Sequence, residues 1–540
     1  MADDTRAKRV LEDCQCMQSK RSTYEAAWRD IRYYVRPNTV DFNGSQSPGD
    51  ERTQRIYDGT AMQANCDLAG ELHADLFNPS QRSFGIEADG PAALNRDPEV
   101  MAWTDMVADA IFAEYADDLS LHTASGHEAL LDIGAFGNCI VLQEWDADGQ
   151  HLVFQTHPLA CCWFDLNANG QVDKLCRMEQ MTIRQIRQKF PDVTWEGMDR
   201  EKPDKTYTIV HMVEPRDDAM YGREDGPNMP YRSCWVIKEK AIVAKEGGYV
   251  SFPYHVARWQ KVSDETYGRG PAINCLPEIR MLQRQQWTVI RAAEKAVDPP
   301  LVMPSDGFLM PYRTAPGSIN YMDPSYATAG VQAVQSIEHR GNFPVTFEIM
   351  NAERLYIKQC FYTDWSDWIP KTERQTAREI DVLQERKLNK MAPLLGRLQS
   401  ELMVSMIQRS YELLNKAGFI PPAPAVLQGR TLKVSYVSAS ARAQAASEVS
   451  AMTLYGQQLV PIAGIQPDIV DAVDFDAYAQ ELAIKQRISR RILRTKEEID
   501  SMREARQKEQ AMQAMAGAAQ PVSQAVLNLS KAREAGGIAA

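Results

Sequence analysis

Long apolar runs are missing from this sequence. None approaches the ~18 residues that a membrane-spanning helix needs, so a transmembrane chain is not expected. The amino terminus, MADDTRAKRVLEDCQC, is charged throughout and has no apolar core segment, so no secretory signal is expected either. Cysteine is sparse. The ten cysteines (Cys14, Cys16, Cys66, Cys139, Cys161, Cys162, Cys176, Cys234, Cys275 and Cys360) are scattered, and no CxxC pair is followed by a second. That spacing gives no zinc site, and reduced thiols in a cytosolic setting are the expectation. No Gly-Lys dipeptide occurs, which removes the Walker A loop and with it an ordinary ATPase; G-x-S-x-G and HExxH are absent too. Gly268-Arg269-Gly270-Pro271 is glycine-rich but lacks the third glycine and the preceding strand of a dinucleotide fingerprint. Nothing resembles an active site, so no enzyme, cofactor or metal is expected.

What is present is ordinary globular composition. The chain has 540 residues, 44% hydrophobic and 24% charged, which excludes collagen-like and disordered chains. That length suggests about three structural units. Sixty Lys+Arg stand against 72 Asp+Glu, a net charge of -12. This balance argues against a protein that clamps nucleic acid, since clamps usually carry a basic footprint.

Two clusters invite a metal reading and lose it. His122, His127 and Glu128 are close in sequence, but the five-residue histidine spacing does not share a helical face as i, i+4 would. Asp165-Leu166-Asn167-Ala168-Asn169-Gly170, with Asp173, copies the opening of a calcium loop. Its twelfth position is Cys176 instead of a bidentate Glu, and Asn-Gly between apolar runs is a hairpin signal.

Helical and strand periodicities are segregated along the chain, which predicts an α+β protein. Helices are expected over 4–35, with Trp28, Ile31 and Val35 on one stripe, then over 60–77, 100–116 and 125–135. From Asn138 to Arg258 the period is two, with strands over 140–145, 152–156, 207–213 and 235–243 and one short helix over 182–190. Leu276–Val297 reads as a helix, and proline-rich pieces fill 299–344. A returning helix covers 345–362, followed by the aromatic break Phe361-Tyr362-Thr363-Asp364-Trp365-Ser366-Asp367-Trp368-Ile369-Pro370. The tract Arg374–Ala417 is helical with a kink expected at Pro393. A strand is expected over 432–437, helices over 441–460 and 467–515, and a disordered tail over 516–540. If the helices 276–297 and 345–362 pack antiparallel, the excursion between them sits at the tip of a stalk.

The residues then carry a resemblance over nearly the whole length. Asp58-Gly59-Thr60-Ala61, Leu68-Ala69 and Leu76-Phe77-Asn78-Pro79 with Arg82 and Phe84 form a first signature. Tyr267-Gly268-Arg269-Gly270-Pro271-Ala272, Ala293-Glu294-Lys295 and Asp298-Pro299-Pro300-Leu301 are the most specific piece. Thr376-Ala377-Arg378-Glu379-Ile380, Arg397-Leu398-Gln399-Ser400-Glu401-Leu402 and Tyr436-Val437-Ser438 through Asp471 and Asp474 follow. In these the chain resembles the portal, or head-to-tail connector, proteins of T7-like short-tailed bacteriophages. It departs from them at Ser83, where an aromatic is commoner, and at Lys485-Gln486-Arg487.

The resemblance implies a portal fold assembled as a ring, usually a dodecamer, at one capsid vertex of the virion, built in the host cytoplasm. It implies a wing over 1–267, a stem helix over 268–297, a clip over 298–342 and a returning stem helix over 343–362. A tunnel loop over 363–375, a wing helix and strand over 376–440 and a crown over 441–515 follow. The implied partners are double-stranded DNA in the channel, the terminase large subunit, a tail adaptor protein, the major capsid and scaffold proteins and internal core proteins, with no membrane. Two other readings compete: a capsid scaffold protein without a channel, and an unrecognised cytosolic enzyme.

Within that reading Trp365, Trp368, Lys371 and Arg374 are the candidates for contact with DNA in the channel. The alternative is that the tryptophans pack under a neighbouring subunit. Arg487, Arg490, Arg491 and Arg494 share a helical face in a run with Lys485 and Lys496 and no acid among them. They face packaged DNA or an internal protein, or else pair with Glu497, Glu498 and Asp500. The acidic charge then fits a conduit better than a clamp, because neutralising many phosphates makes release costly. A lumen that is mostly negative, with its cations in discrete rings, is expected.

Overall fold

The computed structural model describes residues 2–42, 49–54, 56–80, 82–91, 94–146, 148–195, 198–220, 225–226, 228–298, 301–302, 321, 335–336, 343–363, 391–427, 429–430, 432–436, 449–459, 461, 473–485 and 498–511. The chain divides into two compact units, Met1–Ser438 and Ala439–Ala540. Helix and sheet are mixed and segregated, as an α+β protein requires.

The first unit opens with α1 (Ala2–Tyr34), α2 (Thr60–Leu76), α3 (Pro98–Ala116) and α4 (His122–Phe136). The stripes they bury include Trp28 and Ile31 on α1, continued by Val35 just past its end, and Leu68, Leu72 and Leu76 on α2. The Asp97 side chain accepts from Glu99 N at 2.9 Å and so caps α3, with Pro98 at its first position. Two antiparallel sheets follow. One has the order β3 (His151–Thr156), β2 (Asn138–Asp146), β9 (Tyr254–Arg258). The other runs β4 (Cys162–Leu166), β5 (Val172–Thr182), β6 (Thr206–Pro215), β7 (Tyr231–Ile237), β8 (Ile242–Tyr249). The strand expected over 235–243 is in fact the end of β7, a turn and the start of β8. Lys238–Ala241 reverse the chain there, with Ala241 at φ 55°. α5 (Ile183–Lys189) bears a capping box between Thr182 and Gln185.

Asn167–Gly170 is the β4–β5 turn. The Asn167 side chain accepts from Asn169 N and Gln171 N, both at 2.9 Å, and Gly170 has φ +75°. His122 is buried and stacks on Tyr115 with ring centroids 3.9 Å apart. Among the described residues no group of three metal-ligating side chains exists.

α1 lies across the five-stranded sheet. Its Arg21 is 1% exposed and donates to the carbonyls of Leu159 and Cys162, both at 2.6 Å, and of Ala160 at 3.2 Å. About two turns earlier Cys14 is disulfide-bonded to Cys176 of β5, Cα to Cα 6.1 Å. This corrects the expectation of ten reduced thiols. The helix brings together two cysteines 162 residues apart, which no spacing rule shows.

The tract α9 (391–417) packs on the three-stranded sheet. Among the described residues its irregularity is a π-helical turn at Gln399–Val404; the residues before 391, over which a kink at Pro393 would bend the helix, lie outside them. That wider turn presents Glu401, which accepts from Arg258 N at 2.9 Å and from the Arg258 guanidinium at 2.8 Å. Nearby, His255 Nε2 meets Gln143 Oε1 at 2.8 Å and His255 Nδ1 meets Ser405 Oγ at 2.7 Å. Gln143 Nε2 donates to Ser410 Oγ at 2.8 Å, and the Tyr115 hydroxyl joins Ser410 at 2.8 Å. A buried polar chain thus ties α3, β2, β9 and α9 together. At the end of the first unit β12 (Leu432–Tyr436) pairs antiparallel with β1 (Phe84–Ala88), Phe84 opposite Tyr436.

The second unit holds α10 (449–459), α11 (Phe475–Lys485) and α12 (498–511). The helix expected over 467–515 is broken at Val473-Asp474. There the Asp474 carboxylate accepts from the amides of Asp476 and Ala477 at 3.0 Å and starts a new helix. Tyr478 donates its hydroxyl to Met452 O at 2.6 Å, and Arg503 grips Asp476 at 2.6 Å. The expected disordered tail over 516–540 lies outside the described residues.

Candidate functional site

The segment best suited to carry function is a helix hairpin. Residues 271–297 start it with a short turn, α6 (Pro271–Asn274), and continue as α7 (Leu276–Val297). Pro277 near its start, Glu278 in the first turn and Lys295 in the last agree with the helix dipole. The returning helix is α8 (Phe343–Cys360). Gln285 Nε2 donates to Glu353 Oε1 at 2.8 Å, and Cys275 at the foot of α7 is hydrogen-bonded to Cys360 at the end of α8. Low numbers meet high ones, so the two helices are antiparallel. Between them, β10 (Leu301–Val302) pairs antiparallel with β11 (Gln335–Ser336). The rest of the excursion, apart from Tyr321, lies outside the described residues.

The hairpin's foot is fastened to the first unit by polar contacts. Gln283, 5% exposed, accepts from the amides of Tyr57 and Asp58 at 2.7 and 3.1 Å, and donates to Asp58 O at 2.6 Å. The Asp58 carboxylate accepts from Thr60 N at 2.9 Å and from Arg354 of α8 at 2.8 and 2.9 Å. Burial alone would raise the pKa of Asp58. The Thr60 and Arg354 hydrogen bonds override it and hold the carboxyl below its usual range. Arg280 pairs with Asp30 of α1.

Glycine sets the approach to this foot. At Gly137, φ +75°, an added Cβ would stand 2.2 Å from Gly270 N, and at Gly270 one would stand 2.7 Å from Gly137 N. Neither backbone could come so close with a side chain. Tyr267, buried against Phe164 at 4.4 Å, precedes that crossing. The motif 267–271 is therefore a packing device where the sheet hands the chain to the helix hairpin.

Both helices also carry exposed apolar side chains. On α8, Val345, Ile349, Ala352 and Tyr356 fall at i, i+4, i+7 and i+11, one stripe, all exposed. On α7 Trp287, Ile290 and Val297 are 39%, 38% and 87% exposed. Such a contiguous apolar edge on a rigid hairpin is what a partner surface looks like.

The residues singled out from sequence, Trp365, Trp368, Lys371 and Arg374, and Arg487, Arg490, Arg491 and Arg494, all lie outside the described residues. The periodicities singled out above did not include the stripes of α7 and α8, although their heptad-like spacing is there to be counted. No helix among the described residues is long and apolar enough to cross a membrane.

Comparison with known proteins agrees with a structural part of a phage particle. The chain is 27% identical over 497 residues to the "Probable portal protein" of Bordetella phage BPP-1, covering 89% of this chain and 88% of that one. It is 24% identical over 531 residues to the "Portal protein" of Salmonella phage epsilon15, covering 95% and 93%. Residues 7–493 match the family described as Bacteriophage head to tail connecting protein, and the chain belongs to that family.

Proposed function

We propose that the chain is a portal subunit that closes into a ring at one capsid vertex and forms the conduit by which DNA enters the head, is retained and leaves. The observation that carries this is the anchored hairpin with exposed apolar stripes on both of its helices. Val345, Ile349, Ala352 and Tyr356 of one copy meet Trp287, Ile290 and Val297 of the next. Two different surfaces in contact make a heterologous interface, which closes into a ring when the rotation allows. Family membership favours this over a scaffold without a channel.

The finer assignments follow the same reading. α7 and α8 are the stem, 298–342 the clip, 363–375 the tunnel loop, the regions 1–267 and 376–440 the wing and 441–515 the crown. The clip docks the terminase large subunit and later a tail adaptor protein; the wing meets the major capsid and scaffold proteins. Lys371 and Arg374, with Trp365 and Trp368, line the tunnel, and Arg487, Arg490, Arg491 and Arg494 face the head interior.

Electron micrographs of the purified protein test the reading. Rings of about twelve copies with a central hole are expected, and a compact small oligomer refutes it. The double variant I349E/Y356E should lose rings while keeping the wild-type circular dichroism spectrum, because both side chains are exposed in the single chain. Intact rings in that variant would remove the α8 stripe from the interface.

A further inference from the structure

α7 has a second face beside the one that the core and the apolar edge share. Arg280, Arg284, Arg291 and Lys295 fall at i, i+4, i+11 and i+15. At 100° per residue they lie within about 60° of one another, in a line about 22 Å long at 1.5 Å rise. All four are exposed. The buried side of the helix, Leu276, Ile279, Leu282 and Gln283, spans the arc about 40° to 160° from Arg280 on the other flank of the line. Trp287 stands at the border of the two, about 20° from Arg280, and Ile290, about 80° from it, continues the buried side along the helix. Arg280 is paired with Asp30, and Arg291 stacks at 5.0 Å on Trp287. Among the described residues Arg284, Arg291 and Lys295 enter no ion pair. The acids at this end are Glu294, on the flank toward the apolar edge, and Asp298, which closes the helix.

We infer that this stripe is a phosphate-contacting rail for duplex DNA, an inference that rests on the portal reading. The apolar edges turn toward neighbouring copies and the buried side toward the unit's own core, so the cationic line is left as a separate surface. Its geometry suits an extended polyanion: point charges and guanidinium forks spaced along a helix, none committed to a carboxylate among the described residues beyond Arg280. A folded acidic protein would need complementary acids at matching heights, whereas a DNA strand offers a phosphate every ~3.4 Å wherever it lies. Backbone contacts carry no sequence information, as a passage for any sequence requires. Three unpaired cations per subunit are few enough for each phosphate to be exchanged as the duplex moves. The stripe adds cation levels to those expected from the tunnel loop and crown, on a helix where the sequence alone suggests none.

The test uses assembled rings, checked first by electron microscopy, and a 25-base-pair duplex followed by fluorescence anisotropy from about 50 to 200 mM salt. Neutralising the three unpaired cations, R284Q/R291Q/K295Q, should leave rings intact and weaken duplex binding more than about tenfold at low salt. The slope of log affinity against log salt should flatten by about one for each phosphate no longer neutralised. In the same wild-type rings, bound duplex should protect Lys295 from reductive methylation, read by mass spectrometry. Unchanged affinity and slope in the variant, or Lys295 methylated equally with and without duplex, overturns the rail. If the triple variant does not assemble, the protection of Lys295 in wild-type rings decides alone. Wild-type protein that forms no ring refutes the portal reading instead, and protection of Lys295 on that protein still reads the stripe separately.

Discussion

At the residue scale, charge buried without water decides how this molecule responds to acid. His122, His211 and His255 are at most 5% exposed. Burial holds His122 down to about 3 and the other two well below the ordinary histidine range. His211 is pinned between the Tyr254 hydroxyl at 2.7 Å and Ser233 at 2.9 Å, stacked flat on Trp235 at 3.8 Å. In the unfolded chain each takes a proton below about pH 6.5. The folded chain therefore binds fewer protons there, and stability falls as pH drops below 6.5. Each histidine contributes at most about 1.4 kcal/mol per pH unit. Asp132 acts the other way: burial outweighs its Arg36 partner and raises its pKa to about 6, so the folded state gains as pH falls from 6 toward 4. Three groups outweigh one. Urea midpoints should decrease steadily from pH 7 to pH 5, and replacing His255 by Gln should flatten that decrease. A midpoint independent of pH would show that these rings open to water.

At the scale of elements, the sequence was most legible where one period runs long. α1, α2, α3 and α7 lie within about two residues of their expected spans, and Leu276–Val297 matches its expectation to the residue. Legibility failed where a long-range partner sets the geometry. The π-helical turn at Gln399–Val404 carries Glu401, whose partner Arg258 lies 143 residues away, so no local pattern announces it. Cys14 finds Cys176 only after α1 has crossed the sheet. The glycines of 268–270 first suggest a broken nucleotide loop, and the structure shows a backbone crossing instead. That crossing gives a sharp expectation. Gly270→Ala places a methyl group 2.7 Å from Gly137 N, against backbone that cannot yield as a side chain would. It should cost about 1–3 kcal/mol, read as a fall in the thermal midpoint. Gly247→Ala, with nothing within 4 Å, should be nearly silent. Equal effects at the two sites would mean that the crossing is looser than its distances imply.

At the scale of the whole molecule, the acidic balance fits the proposed conduit better than a clamp. The candidate residues drawn from the aromatic break and the basic run could not be matched to geometry. They lie outside the described residues, and the roles proposed for them depend on copies of the chain around an axis, which one chain's periodicity does not encode. The stem, by contrast, is legible in a single copy, because its stripes are fixed by 3.6 residues per turn. Every anchor of that stem lies in the first unit: Asp58 with Arg354, Gln283 with the backbone at 57–58, Arg280 with Asp30, and the Gly137–Gly270 crossing. The apolar stripes lie there too, and the β1–β12 pairing closes that unit at Tyr436. A chain ended at Ser438 therefore retains every surface invoked for ring closure and gives up only the second unit, whose helices α10–α12 are held by one another. It should fold with a single cooperative transition and still form rings of the same copy number in electron micrographs. Monomers that keep the full-length chain's far-ultraviolet spectrum would place the determinant of closure in residues 439–540 rather than in the stem.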